Sequence, residues 1–194
     1  PDGAGVTDLG RLPENLPVPV DDGAANHLHG MRLPSIRLPA ADGTTVAIDE
    51  FDSRWLVLYA YPRTGGPGIE LPEDWDLVPG ARGCPPQSCA FRDHRADLAA
   101  LDASIVGVSA QPIDEQIEFG QRMHIPFPLL NDSGLLLAGD PLRLPTFTAA
   151  GMTLYRRLTL VAGAEGEIVK VFYPVFPPDR NAVDVIEFLT VAST

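Results

Sequence analysis

The stretch that most constrains this sequence is Trp55-Leu56-Val57-Leu58-Tyr59-Ala60-Tyr61, followed at once by Pro62. The run is apolar throughout and has no polar face. It is too short to span a bilayer, so it reads as a strand covered on both sides. Such a strand demands neighbouring strands and a packed layer above and below. Pro62 cannot continue the ladder. The chain then passes through residues 62–83, which hold Pro62, Gly65, Gly66, Pro67, Gly68, Pro72, Pro79, Gly80 and Gly83. A loop of this length inside a compact domain is ordinarily functional. It delivers the chain to Gly83-Cys84-Pro85-Pro86-Gln87-Ser88-Cys89, the start of a predicted helix running to about Leu101. Phe91, Leu98 and Leu101 recur there near helical spacing.

The flanking segments complete an architecture. Ile36 and Leu38, then Thr45, Val46 and Ile48, alternate about Asp42-Gly43 and predict a β-hairpin. Ile105–Ser109 reads as a strand, Asp114–Met123 as a helix, Phe127–Leu130 as a short strand, and 133–138 as a helical turn or two. Leu154–Ala162 and Glu167–Tyr173 flank Ala164-Glu165-Gly166 as a second hairpin. Asn181–Val191 closes the chain as an amphipathic helix. A β-α-β unit, an antiparallel hairpin and a last helix predict an α/β chain of thioredoxin-like fold. Its central sheet is expected to be mixed, with helices on both faces and an N-terminal β-hairpin. Residues 1–30 are rich in Pro, Gly, Asp and Asn without a sustained period, and predict an irregular N-terminal arm. Residues 31–194 are expected to form one domain, as the length of 194 residues suggests.

Composition excludes several classes. A net charge of −12 argues against a phosphate backbone as partner. No stretch is apolar for long enough to cross a membrane as a helix. Two cysteines are too few for a secreted disulfide scaffold of this length, so a cytoplasmic setting is the expectation. There, a close cysteine pair is catalytic or metal-binding more often than structural. His94 follows Cys89 by five residues, but zinc spacings are shorter and no second knuckle exists, so no metal is expected. No cofactor motif is present either. Gly163–Gly166 is a turn, since no helix follows it to bind a phosphate.

The chemistry therefore centres on Cys84 and Cys89. Cys84 lies where a central strand, a loop and a helix start meet, an edge at which α/β sites usually lie. The partial positive charge of a helix N-terminus favours a thiolate, the reactive form. Residues five apart on a helix stand about 140° and roughly 8.6 Å apart, whereas a disulfide needs less than about 7 Å between Cα atoms. A bridge between the two cysteines therefore requires the first turn to unwind. Pro85 and Pro86 supply no N–H to that turn, and the residue before a proline is biased away from helix. These features predict two conformations. In one, Cys84 attacks a substrate, best fitted by a peroxide. In the other, Cys89 condenses with the resulting sulfenic acid.

The sequence here resembles the peroxiredoxins, specifically the bacterioferritin-comigratory or Q type with an intramolecular pair. The resemblance covers roughly Leu33 to Val191. Four features carry it: Tyr61-Pro62 at the strand end; Cys-x4-Cys followed by Phe91-Arg92-Asp93; Val108-Ser109; and Arg157-Leu158-Thr159-Leu160 with Gly166-Glu167-Ile168. It implies that Cys84 is the peroxidatic cysteine, Cys89 the resolving one, and Arg157 the group that orients thiolate and peroxide. It also implies hydrogen peroxide or an alkyl hydroperoxide as substrate and a thioredoxin- or glutaredoxin-like reductant. A protein thiol–disulfide oxidoreductase, or a non-catalytic redox-sensing module, is the alternative. Two departures from the pattern stand out. The motif hydroxyl three residues before the cysteine is absent at Ala81, which leaves Thr64, across a long insertion, as the candidate hydroxyl. Pro85 and Pro86 also remove amides that could cradle a peroxide.

Other residues receive structural readings. Arg156 and Arg157 should face opposite ways if both are in a strand. Arg92 and Asp93 read as an ion pair or surface charges, and His94 as packed or hydrogen-bonded. Glu70, Glu73, Asp74 and Asp76 around Trp75 read as a solvated lid with one anchoring aromatic.

Overall fold

A computed structural model describes residues 11–194. Its core is a five-stranded sheet built on the apolar run. β1 (Arg37–Pro39) and β2 (Thr45–Ala47) form a separate antiparallel hairpin. Its turn is held by Asp42, whose Oδ1 accepts hydrogen bonds from the Thr44 amide and hydroxyl at 2.9 and 2.6 Å, the local bonding that makes Asp a turn former. β3 (Trp55–Ala60) is buried at every residue. β4 is Ala103–Ser109, β5 Leu129–Asn131, β6 Thr146–Ala149, β7 Met152–Tyr155, β8 Leu158–Gly163 and β9 Ile168–Phe172. The sheet order is β5-β4-β3-β8-β9. β3, β4 and β5 run parallel, while β8 and β9 run antiparallel. The thioredoxin-like mixed sheet and the N-terminal hairpin are as expected.

Strand alternation splits the core in two. Leu56, Leu58 and Ala60 enter one cluster; Trp55, Val57 and Tyr59 enter the other. The second is covered by α1 (Cys84–Asp93), α2 (Arg95–Ala100), α3 (Ile113–Arg122) and α4 (Asn181–Ala192), through Phe91, Leu98, Phe119 and Leu189 among others. The expected helices on both faces are thus shared unequally. On the opposite face, among the described residues, the only helical turn in contact is the 3-10 turn Leu136–Ala138, and the hairpin and irregular segments supply the rest. The reason is handedness. Both β-α-β crossovers step in the same direction across the sheet, and right-handed crossovers then place both helices on one side.

Three local expectations are revised. The helix expected from Cys84 to Leu101 breaks at His94, at φ −96° and ψ 13°, and α2 begins one residue on. Phe91 and Leu98 still reach the same core. The strand expected over Leu154–Ala162 is two strands. β7 pairs with β6 in its own hairpin, turned by Ala150 (φ 49°) and Gly151 (φ 75°). That turn needs positive φ at both central residues, and Ala-Gly is a weaker signal for it than Asn-Gly. The strand expected at Phe127–Leu130 begins two residues later and ends one later, as β5. Within the segment expected as an arm, residues 1–10 lie outside the described residues. Residues 11–30 carry no helix or strand, yet Ala25 and Leu28 are buried in the core.

Candidate active site

β3 ends at Ala60, and Ala60 pairs with Leu158, the first residue of β8. Arg157 therefore lies at the same edge of the sheet at which the chain leaves β3. Its parity matches Thr159 and Val161, and Val161 packs with Tyr59 on the side covered by α1. The loop after β3 returns to that edge and enters α1 at Cys84. Gly83 allows the entry: its φ is 110°, and a Cβ there would collide with Pro178. Positive φ and a close approach together call for glycine.

Cys84 is the first residue of α1 and is fully buried. It is therefore helical, at the boundary expected for a cap. The first intrahelical bond runs from the Gln87 amide to the Gly83 carbonyl at 3.1 Å. Amides before Gln87 have no intrahelical acceptor in any helix, so Pro85 and Pro86 forfeit no helical bond.

Arg157 closes over the sulfur. Its Nη2 is 3.1 Å from Cys84 Sγ and also reaches the carbonyls of Ala81 at 3.2 Å and Arg82 at 3.3 Å. Nη1 donates to Gln87 Oε1 at 2.5 Å. Its buried Nε has no partner among the described residues. One N–H of the guanidinium is thus uncommitted among the described residues. Arg156 and Arg157 lie between β7 and β8 rather than within a strand, and Arg156 donates to the Thr146 carbonyl at 3.3 Å.

Sequence reasoning missed three members of this constellation, Gln87, Asn181 and Tyr59. Gln87 is fully buried, and its Nε2 donates to Asn181 Oδ1 at 3.0 Å. The Thr159 hydroxyl donates to the same oxygen at 2.6 Å. Arg157 is thereby tied through Gln87 to the first residue of α4 and back to β8. The only local signal was a polar side chain one helical turn after Cys84. Tyr59 was read as core, yet its hydroxyl donates to Ser88 Oγ at 3.0 Å in the second turn of α1. Its phenol is pushed well above the ordinary range, first by burial and then by Tyr61.

Cys89 lies in the same helix, half-buried, and both cysteines are free thiols. Burial raises the Cys89 thiol above its ordinary value, outweighing Arg92 nearby. The regular helix keeps the two cysteines beyond bridging distance, as their spacing requires. Thr64 is elsewhere. It is buried, its amide donates to Gln111 Oε1 at 2.8 Å, and its hydroxyl accepts from Gln111 Nε2 at 2.9 Å. Among the described residues that hydroxyl is bonded to Gln111 and not to Cys84. Ala81 is buried at the site and offers its carbonyl, 3.8 Å from Sγ.

The loop above the site is anchored at several points. Trp75 is buried and packs on Phe147 at 6.2 Å, and Arg82 pairs with Asp76 at 3.0 Å. Arg63 is held by Glu115 of α3. Of the acidic residues around Trp75, Glu70, Glu73 and Asp74 are exposed. Arg92 pairs with Asp93 at 2.8 Å and His94 with Asp97 at 2.9 Å, as structural readings predicted. Among the described residues no cluster of side chains suited to a metal is found, and no helix is long and apolar enough to cross a membrane.

Comparison with known proteins places this geometry. The family model described as Redoxin matches residues 28–186. Peroxiredoxin Bcp of Bacillus subtilis is 29% identical over 155 residues, 79% of this chain and 89% of the relative. The chloroplastic peroxiredoxin Q of Populus jackii is 26% identical over 162 residues, 82% of this chain and 67% of the relative. The crystal structure of peroxidoxin BcpB from Mycobacterium tuberculosis shares the fold. Its TM-score is 0.68 at 24% identity, covering 84% of this chain and 96% of that one. With the family model spanning most of its length, this chain belongs to the redoxin family, as a peroxiredoxin of the Bcp and Q type.

Proposed function

We propose that this chain is a thiol peroxidase in which Cys84 is oxidised by the peroxide and Cys89 resolves it. The observation that carries the reading is the buried Cys84 sulfur at a helix start, held 3.1 Å from an arginine Nη2. A guanidinium stabilises the thiolate and offers a further N–H to the peroxide. The thiolate attacks the terminal oxygen of R–O–OH. An S–O bond forms, the O–O bond breaks, and RO⁻ leaves as ROH with the proton lost by the thiol. The product is Cys84 sulfenic acid. α1 then unwinds at its start, the Cys89 sulfur attacks Cys84, and water leaves as the disulfide forms. An external dithiol of the thioredoxin or glutaredoxin kind reopens it by exchange. Thr64, committed to Gln111, acts in this scheme by holding the start of the 62–83 loop rather than by touching the peroxide.

The test is peroxide consumption with a thioredoxin system. The wild type should turn over and Cys84→Ser should not. Cys89→Ser should consume one equivalent and stop, unless a small thiol is added. Equal inactivity of wild type and Cys84→Ser towards hydrogen peroxide and organic peroxides would refute the reading. Insulin reduction by the wild type without peroxide turnover would favour protein thiol–disulfide exchange instead.

A further inference from the structure

The two residues that precede Cys89 in α1 are both fastened to other elements. Gln87 is bonded to Arg157 and to Asn181. Ser88 is fully buried, and its Oγ accepts a hydrogen bond from the Tyr59 hydroxyl at 3.0 Å. Tyr59 lies in β3, so this bond ties the middle of α1 to the central strand of the sheet. Cys84, Ser88 and Phe91 are all buried and stand at i, i+4 and i+7, on one face of the helix. Tyr59 engages the last two of these, Ser88 by its hydroxyl and Phe91 by its ring.

The donor is held in place. The Tyr59 ring stacks on Phe91 at 4.7 Å and on Tyr61 at 5.5 Å, and meets Phe127 edge-on at 6.1 Å. Its partner on β4 is Gly107, where a Cβ would stand 2.8 Å from both Cζ and Oη of the phenol. Glycine there makes room for the ring. Both hydroxyls are buried, and a buried hydroxyl that loses its partner bears its full desolvation cost. The cysteines of a regular helix stand about 140° apart around its axis, so bringing them together turns the backbone between them. Ser88 is the last residue of that stretch, and turning it takes its Oγ away from Tyr59.

We infer that Tyr59 is a positioning residue for the resolving step: through Ser88 its hydroxyl holds the Cys89 turn in the helix, and this bond must break before Cys89 reaches Cys84. The inference deepens the peroxidase reading and rests on it. Tyr59 itself neither attacks nor binds the peroxide. Its effect is on the lifetime of the Cys84 sulfenic acid. While the bond holds, a second peroxide competes with Cys89 for that sulfur. In the second attack another S–O bond forms, the O–O bond breaks, ROH leaves and the product is Cys84 sulfinic acid. Tyr59 thereby sets the peroxide level at which the enzyme is lost to over-oxidation.

Tyr59→Phe removes the donor and keeps the ring. After one equivalent of hydrogen peroxide, rapid-quench mass analysis follows sulfenic acid into disulfide. That rate should rise about fivefold, the effect of one net hydrogen bond on an equilibrium. The peroxide concentration that converts half of Cys84 to sulfinic acid during turnover with a thioredoxin system should rise by the same factor. Tyr61→Phe is the control for a merely structural loss. It also strips a buried bond, the one from Gln116 Nε2 at 3.0 Å, but that partner lies in α3. Its resolving rate should stay at the wild-type value. Adding Ser88→Ala to Tyr59→Phe should bring no further acceleration, since the bond is already gone. An unchanged or slower resolving rate in Tyr59→Phe overturns the inference and leaves the peroxidase standing. Equal acceleration in Tyr61→Phe, or further acceleration on adding Ser88→Ala, also overturns it. If wild-type Cys84 forms no sulfenic acid with hydrogen peroxide or an organic peroxide, the peroxidase reading falls, and this inference with it.

Discussion

Arg157 Nη2 lies 3.1 Å from Cys84 Sγ although 73 residues separate them in the chain. The contact follows from register. Leu158 pairs with Ala60 at the edge where β3 gives way to the active-site loop, and that loop ends at Cys84. The same guanidinium binds Gln87 and two carbonyls of the loop, so it also clamps the first turn of α1 in its helical form. Unwinding that turn to bring Cys89 to Cys84 must break this clamp. In the proposed cycle the arginine is therefore expected to favour the state that attacks peroxide over the state that forms the disulfide.

Replacing Arg157 by lysine retains a charge and removes the fork. The kcat/KM for peroxide should fall by about a hundredfold, as when a preorganised donor is lost. The rate of Cys84 oxidation, followed by stopped-flow fluorescence, checks this. An unchanged oxidation rate would mean that the arginine acts on structure alone.

Gln87→Leu removes the acceptor for Arg157 Nη1 and the donor to Asn181 together. The unpaired groups are buried, so stability should drop by about 1–3 kcal/mol. The freed arginine should also slow Cys84 oxidation on the order of tenfold. Denaturant unfolding and single-turnover oxidation measure the two effects separately.

The Cys89 thiol is raised above its ordinary value by burial in the folded helix. Only its thiolate attacks the sulfenic acid, so disulfide formation should accelerate as pH rises through the alkaline range, with no plateau near neutrality. Rapid-quench mass analysis of the oxidised enzyme follows this step. At high peroxide, Cys89→Ser should accumulate Cys84 sulfinic acid, because the sulfenic acid has no partner.

All four tyrosines are shifted upwards, and Tyr173 to about 12. Burial is the largest cause for Tyr173, with the hydrogen bond to Asp22 next. Phenolate absorbance should show no ionisation near the ordinary value of 10.0 and a first step near 12, which Tyr173→Phe removes. The linkage sign follows. A raised phenol stabilises the fold below its unfolded value, and this contribution is lost as pH rises from about 10 towards 12. The seat of residues 18–22 on the body should loosen over that window, detectable as faster proteolysis near Val20.

Much of the fold was legible locally. A short apolar run with no polar face, ended by a proline, reads as a covered strand, and Asp42-Gly43 carries its turn in its own side-chain bonds. The start of a helix near Cys84 followed from the end of the glycine-rich loop and the spacing of Phe91, Leu98 and Leu101. What escaped was non-local. The β6–β7 hairpin turns on an Ala-Gly pair of weak local preference. Thr64 was the candidate for the motif hydroxyl absent at Ala81, but the loop it opens folds it onto Gln111, 47 residues away. Gln87 and Asn181 carried no motif.

The sequence by itself determined which residues could do the chemistry: two cysteines spaced so that a regular helix keeps them apart, and an arginine that never loses its charge. Only the tertiary structure decided which groups surround the first cysteine. Helical spacing and strand alternation act over a few residues and are written in local order. The meeting of Cys84 with Arg157, and of Tyr59 with Ser88, depends on strand register and packing between distant segments. Those are set by burial of the whole core, which no short stretch of sequence encodes.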